Sequence, residues 1–113
     1  MEMKTAARAL TAIGNESRLL VYRMLIEAGP AGLAAGKLAE LAGMPPSSLS
    51  FHLKELVHAD LLESRQEGRF VIYAAKYQTM TDLIGFLTDN CCGGNPCMPV
   101  AEQCCNTQSA PRA

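Results

Sequence analysis

The stretch from Ala34 to His58 constrains this chain more than any other. It reads as a brief helix, "AAGKLAELA", stopped by Gly43, and a second helical run opening at Pro45-Pro46. Pro46 suits the first position of a helix, and it pushes Pro45 into the extended backbone of an N-cap residue. The run from Pro46 to about His58 then places Leu49, Leu53 and Leu56 at i, i+4 and i+7, one apolar stripe along a helix. Two short helices joined by "GMPP" predict a helix-turn-helix.

The flanks agree with that reading. Met3, Ala6, Ala7, Leu10 and Ile13 recur at helical spacing and predict a first helix ending at Gly14. Asn15 is a good N-cap for a second, "ESRLLVYRMLIEA", with Glu16 favourably placed in its first turn. That run is apolar on most sides, which predicts a central, buried helix closed by Gly29-Pro30. After His58 the period changes. "LLESRQEGRFVIYAA" carries β-branched and aromatic residues on either side of Glu67-Gly68, the pattern of a β-hairpin. A last helix is expected from about Tyr77 to Asp89, with Met80, Leu83, Ile84 and Leu87 on one face. Residues 91–113 have no periodic apolar face and read as a tail, partly disordered, behind one domain of residues 1–90.

Helices, a helix-turn-helix, a hairpin and a closing helix follow the order of a winged helix: mainly α, with a β-hairpin wing. In that order, "NESRLLVYRMLIEAG", "SSLSFHLKELVHADLL" and "EGRFVIYAA" resemble the ArsR/SmtB family of dimeric metalloregulatory repressors. The resemblance covers roughly residues 5–90, and its most specific part is Ser50 to Leu56. It implies a homodimer that binds double-stranded operator DNA.

The residues themselves support this expectation. With Leu49, Leu53 and Leu56 inward, about 100° per residue turns Ser47, Phe51, Lys54 and His58 outward. Ser47, Ser48, Ser50 and Lys54 suit phosphate and base-edge contacts in a major groove. Phe51 either presses on a thymine methyl or packs against a neighbouring helix. His52, beside the buried stripe, is expected to pack or to touch a phosphate. At the hairpin tip Arg65 and Arg69 suit a minor groove or its flanking phosphates, although Glu63 and Glu67 interleave with them. Between Met44 and Tyr77 four basic residues face four acidic ones, and the whole chain carries a formal charge of −1. So neutral a surface favours two copies on a two-fold operator, with Leu10, Ile13, Leu83, Ile84 and Leu87 as the expected dimer interface.

All five cysteines, Cys91, Cys92, Cys97, Cys104 and Cys105, fall in the tail. No apolar run reaches the roughly 20 residues of a membrane span, and the opening "MEMKTAARAL" does not resemble a secretion signal. The expectation is a cytoplasmic, reducing location without a membrane partner, which disfavours structural disulfides. Relatives in the resembled family bind metal through cysteines before the recognition helix, or through His and carboxylates on the last helix. Here "GLAAGKLAELAG" has no cysteine, and Asp82 and Asp89 have no histidine after His58 to join them. Neither site fits.

Thiolates select soft ions, and trivalent arsenic takes three of them in a pyramid. Cys91-Cys92 offers two, and Gly93-Gly94-Asn95-Pro96 is a turn-forming spacer that could return Cys97 to them. This "NCCGGNPC" set resembles the arsenite-responsive members of the family, which implies arsenite as inducer at Cys91, Cys92 and Cys97. Cadmium, lead or zinc, a redox switch, a strained disulfide and inert thiols are the competing readings. A thiol-dependent enzyme is the rival class. It is disfavoured because the chain has no C-x-x-C in a βαβ pattern, no nucleotide loop and no histidine positioned near the thiols.

Overall fold

The structure is a computed structural model that describes residues 1–89. The chain runs α1 (Met3–Ile13), α2 (Glu16–Ala28), β1 (Leu33–Ala34), α3 (Ala35–Ala42), α4 (Pro46–His58), β2 (Leu62–Glu67), β3 (Phe70–Ala75) and α5 (Tyr77–Leu87). This is a mainly α winged helix-turn-helix with a small hairpin wing. The Cys91, Cys92 and Cys97 set and the rest of the tail lie outside the described residues.

Local chemistry sets the boundaries. Asn15 Oδ1 accepts from the Arg18 backbone N–H at 3.2 Å and caps α2. Gly43 takes a left-handed conformation (φ 67°) and donates to the Ala39 and Glu40 carbonyls, ending α3. Pro46 starts α4 as its first residue behind an extended Pro45.

The core gathers around α2 and α4. Val21 and Leu25 meet Leu38, Leu49, Leu53, Leu56, Leu61, Leu62 and Leu83, and all of these are buried. Each fully buried leucine stabilises the fold by about 1.5–3 kcal/mol. Burial, with the nearby Tyr77 phenol as a second cause, pushes the Tyr22 phenol up to about 12, so it stays neutral. Helix α2 is less enclosed than its composition suggests. Leu19 and Leu20 are each 45 % exposed, because α1, α3, α4 and β3 cover one side of α2 and leave these two uncovered.

The sheet has the order β1-β3-β2, all antiparallel. The hairpin pairs Leu62 with Ala75 through to Glu67 with Phe70, around Gly68 at φ 63°. The two-residue β1 was not expected from the sequence. It pairs Leu33 with Tyr73 and Ala34 with Ile72, and so ties the start of α3 to the wing.

A polar clasp joins α4 to α5. Asp60, itself at φ 65°, accepts from Lys76 Nζ at 2.6 Å and from Thr79 Oγ1 at 3.3 Å. The Lys76 backbone N–H donates to the Leu61 carbonyl at 2.9 Å. The hydrogen bond from Lys76 holds the Asp60 carboxyl below its usual range. A carboxyl lowered in this way adds stability above its unfolded pKa, and loses it as the pH falls through the lowered folded value.

Candidate nucleic-acid interface

Helix α4 turns Leu49, Leu53 and Leu56 into the core at 2 % exposure or less. The rotation of the helix then leaves Ser47, Ser48, Ser50, Phe51, Lys54 and His58 exposed, as the sequence pattern predicts. The serines sit in the first turns, where free backbone N–H groups and the helix dipole favour phosphate oxygens. Lys54 stands on the same outward stripe.

Phe51 meets a neighbouring helix, the second of the two roles expected of it, while part of its surface stays open. It is 54 % exposed, and the Arg18 guanidinium of α2 lies over its ring, 5.5 Å from the centroid. Such a contact contributes about 0.5–1 kcal/mol at an exposed site, and it holds the ring while leaving it half exposed. Arg18 also donates to the Ala12 carbonyl at 3.5 Å. His52 packs edge-on against Phe51 at 5.7 Å, and its Nδ1 is buried with no partner among the described residues. The Arg18–Phe51 pairing was not legible in the sequence, since an arginine in the first turn of α2 carries no sign of which helix it will meet.

At the wing the two arginines separate. Arg69 stands exposed at the tip beside Gly68. Arg65 turns back: its Nε donates to Glu67 at 2.6 Å, and its two terminal nitrogens donate to the carbonyls of Ala31 at 2.7 Å and Pro30 at 3.4 Å. Its hydrogen bonds thus lash the wing to the α2–β1 loop. A double-substitution cycle separates holding the wing from touching DNA. Arg65→Ala and Arg69→Ala are each expected to weaken DNA binding, and the Arg65 loss should largely vanish when Arg69 is already alanine. The coupling should be roughly 0.5–3 kcal/mol by fluorescence anisotropy. Strictly additive losses would instead make Arg65 a DNA contact in its own right.

Of the expected interface leucines, Leu83 is 1 % exposed within this single chain, while Leu10 and Leu87 are exposed at 41 % and 55 %. Ile13 and Ile84 are half-buried. No three His, Cys, Asp or Glu side chains gather as a metal site among the described residues. None of the described helices is long and apolar enough to cross a membrane.

An exposed, serine-rich helix held in a helix-turn-helix beside a hairpin wing defines a winged-helix DNA-binding transcriptional regulator. Comparison with known proteins places it further. Residues 13–65 match the family model described as "Helix-turn-helix domain". The nodulation protein NolR of Rhizobium meliloti is 30% identical over 88 residues, spanning 78% of this chain and 70% of that one. The crystal structure of NolR from Sinorhizobium fredii is similar, with a TM-score of 0.62 and 28% identity over 81% of this chain and 88% of that chain. An ArsR-like transcriptional regulator from a Rhodococcus species aligns with a TM-score of 0.67 at 25% identity, over 74% of this chain and 76% of that one. The chain belongs to the ArsR/SmtB-like superfamily of winged-helix DNA-binding regulators. Its fold and its relatives make it a regulator and not an enzyme.

Proposed function

We propose that the chain is a homodimeric repressor that leaves its operator when trivalent arsenic binds Cys91, Cys92 and Cys97. The observation that carries this reading is the position of the thiols. All five cysteines follow α5, which ends at Leu87, and the segment leading into α4 has none. Three thiolates in "NCCGGNPC" suit a soft, three-coordinate ion better than a hard one.

The recognition surface is α4, with Ser47, Ser48, Ser50, Phe51, His52 and Lys54, and the wing carries Arg69 with Arg65 behind it. Two copies joined through α1 and α5, with Leu10, Ile13, Ile84 and Leu87 against their symmetry mates, set the two α4 helices about 34 Å apart, one turn of duplex. Leu83 supports that face from within its own core. Helix α5 is well placed to report on the tail, because its first turn holds Asp60 at the end of α4 through Lys76 and Thr79. Ligation just beyond the far end of α5 would shift the dimer toward a spacing that no longer fits the operator.

X-ray absorption at the arsenic edge of the arsenite-loaded chain tests the reading. Three sulfur neighbours and no oxygen are expected. Unligated arsenite, retaining its oxygens after mixing with the reduced protein, would refute it. Tight binding of zinc or cadmium in its place would move the inducer to a divalent soft metal.

A further inference from the structure

Charge on the described part of this chain is not evenly used. Of its ten Lys and Arg residues, nine lie in the described residues, Arg112 being the tenth. Four of the nine sit in ion pairs: Arg23 with Glu27, Lys37 with Glu40, Arg65 with Glu67, and Lys76 with Asp60. The five without an acidic partner among the described residues are Lys4, Arg8, Arg18, Lys54 and Arg69. Lys54 and Arg69 belong to the recognition helix and the wing tip. The other three gather elsewhere.

Lys4, Arg8 and Arg18 line one open concavity of about 470 Å³ between α1 and the C-terminal half of α4, where His58 joins them. The α1 positions on its wall, Lys4, Ala7, Arg8 and Thr11, follow i, i+3, i+4 and i+7, so they form a single face of that helix. Two like charges four residues apart repel each other along a helix, and nothing in the fold of α1 requires them. Glu55 is the one acid on the wall. Arg18 is doubly held, by the Ala12 carbonyl and the Phe51 ring, and its Nε is buried without a partner. The concavity also continues the DNA-facing stripe of α4. His58 stands on that stripe after Phe51 and Lys54, and Arg18 touches Phe51 from the other side.

We infer that this α1–α4 concavity is a second phosphate-binding surface, in which Lys4 and Arg8, backed by Arg18, hold the backbone of the bound duplex beside the segment that α4 reads. Phosphate contacts of this kind position a protein on DNA without reading sequence. They also add cationic contacts to a chain of net charge −1, since Lys4, Arg8 and Arg18 line the concavity that His58 joins to the outward stripe of α4. The inference rests on the DNA-binding reading and extends its footprint to α1.

The salt dependence of binding tests it. Each phosphate neutralised on duplex DNA contributes about 0.9 to the slope of log K against log salt. Lys4→Gln with Arg8→Gln should therefore lower the slope by about 1.8 per bound protomer on a mixed-sequence duplex. Arg8→Lys should restore its share, and Arg23→Gln, which breaks only a surface ion pair, should leave the slope unchanged. An unaltered slope in the double variant overturns the inference. So does saturable binding of inorganic phosphate at Arg8 and His58 (seen by NMR) with DNA binding untouched, which would make the concavity a small-anion site. Dissociation of the variant into monomers by sedimentation also overturns it, since the face would then be a contact between copies. Failure of the wild-type chain to bind the duplex at all would strike the DNA-binding reading, and this inference with it.

Discussion

Serine at Cys91, Cys92 or Cys97 is expected to abolish the response to arsenite while leaving operator binding intact. A coupling of roughly 1–3 kcal/mol between inducer and DNA lowers operator affinity about 5- to 150-fold, and reciprocity requires that DNA weaken arsenite binding by the same factor. Each substitution removes one of three thiolates. Two remaining sulfurs leave a position on arsenic open to water, and the ion then binds less tightly. The ratio of affinities with and without arsenite should fall toward one in all three variants. Cys104→Ser and Cys105→Ser should keep the full ratio, since those residues stand further along the sequence from α5. Without arsenite every variant should bind as the wild type does, because no cysteine belongs to the winged-helix body. An anisotropy titration with operator DNA reads all of these values. Arsenite release that survives all three substitutions would remove the tail from the mechanism.

Much of the frame was legible because it is written in local period and punctuation. The Leu49, Leu53 and Leu56 stripe with Pro46 at its head fixed α4 to the residue, and Glu67-Gly68 fixed the hairpin turn. What escaped depends on contacts far apart in sequence. A strand of two residues, Leu33–Ala34, has no period to show, and it exists because β3 lies beside it. The exposure of Leu19 and Leu20 follows from which faces of α2 the other elements cover, and composition alone predicts the opposite. Arg65 reads as a DNA contact from its place beside the wing tip, and the sequence does not show that it also ties the wing to a distant loop. Its partners, Pro30 and Ala31, are more than thirty residues away. Arg18 and Phe51 likewise meet across two helices. Lys4 and Arg8 are visible as charges, but that neither forms an ion pair among the described residues appears only once the fold is known.

Gly32→Ala is expected to be among the most damaging single changes in the body. Its φ of 70° is left-handed, and a Cβ there would lie 2.3 Å from the Tyr73 carbonyl oxygen and 3.0 Å from Ile72 Cγ2. The left-handed backbone costs a non-glycine residue about 1–2 kcal/mol. Forcing an atom into a packed site adds about 1–3 kcal/mol. The Tyr73 carbonyl belongs to the middle strand, paired on both sides, so it has no room to retreat. A loss of roughly 2–5 kcal/mol lowers the melting temperature by on the order of 10 °C or more in a domain of this size. Gly68→Ala gives the contrast: φ is 63°, but nothing lies within 4 Å of its Cβ, so only the backbone term applies. Equal melting temperatures for the two variants would mean that the approach of Gly32 to β3 is not held in solution. The effect should reach the wing as well. Gly32 follows directly on Pro30 and Ala31, whose carbonyls hold Arg65, and a displaced loop releases that lashing. Gly32→Ala should therefore weaken DNA binding even at temperatures where the variant is fully folded, and should do so far less when Arg69 is already alanine.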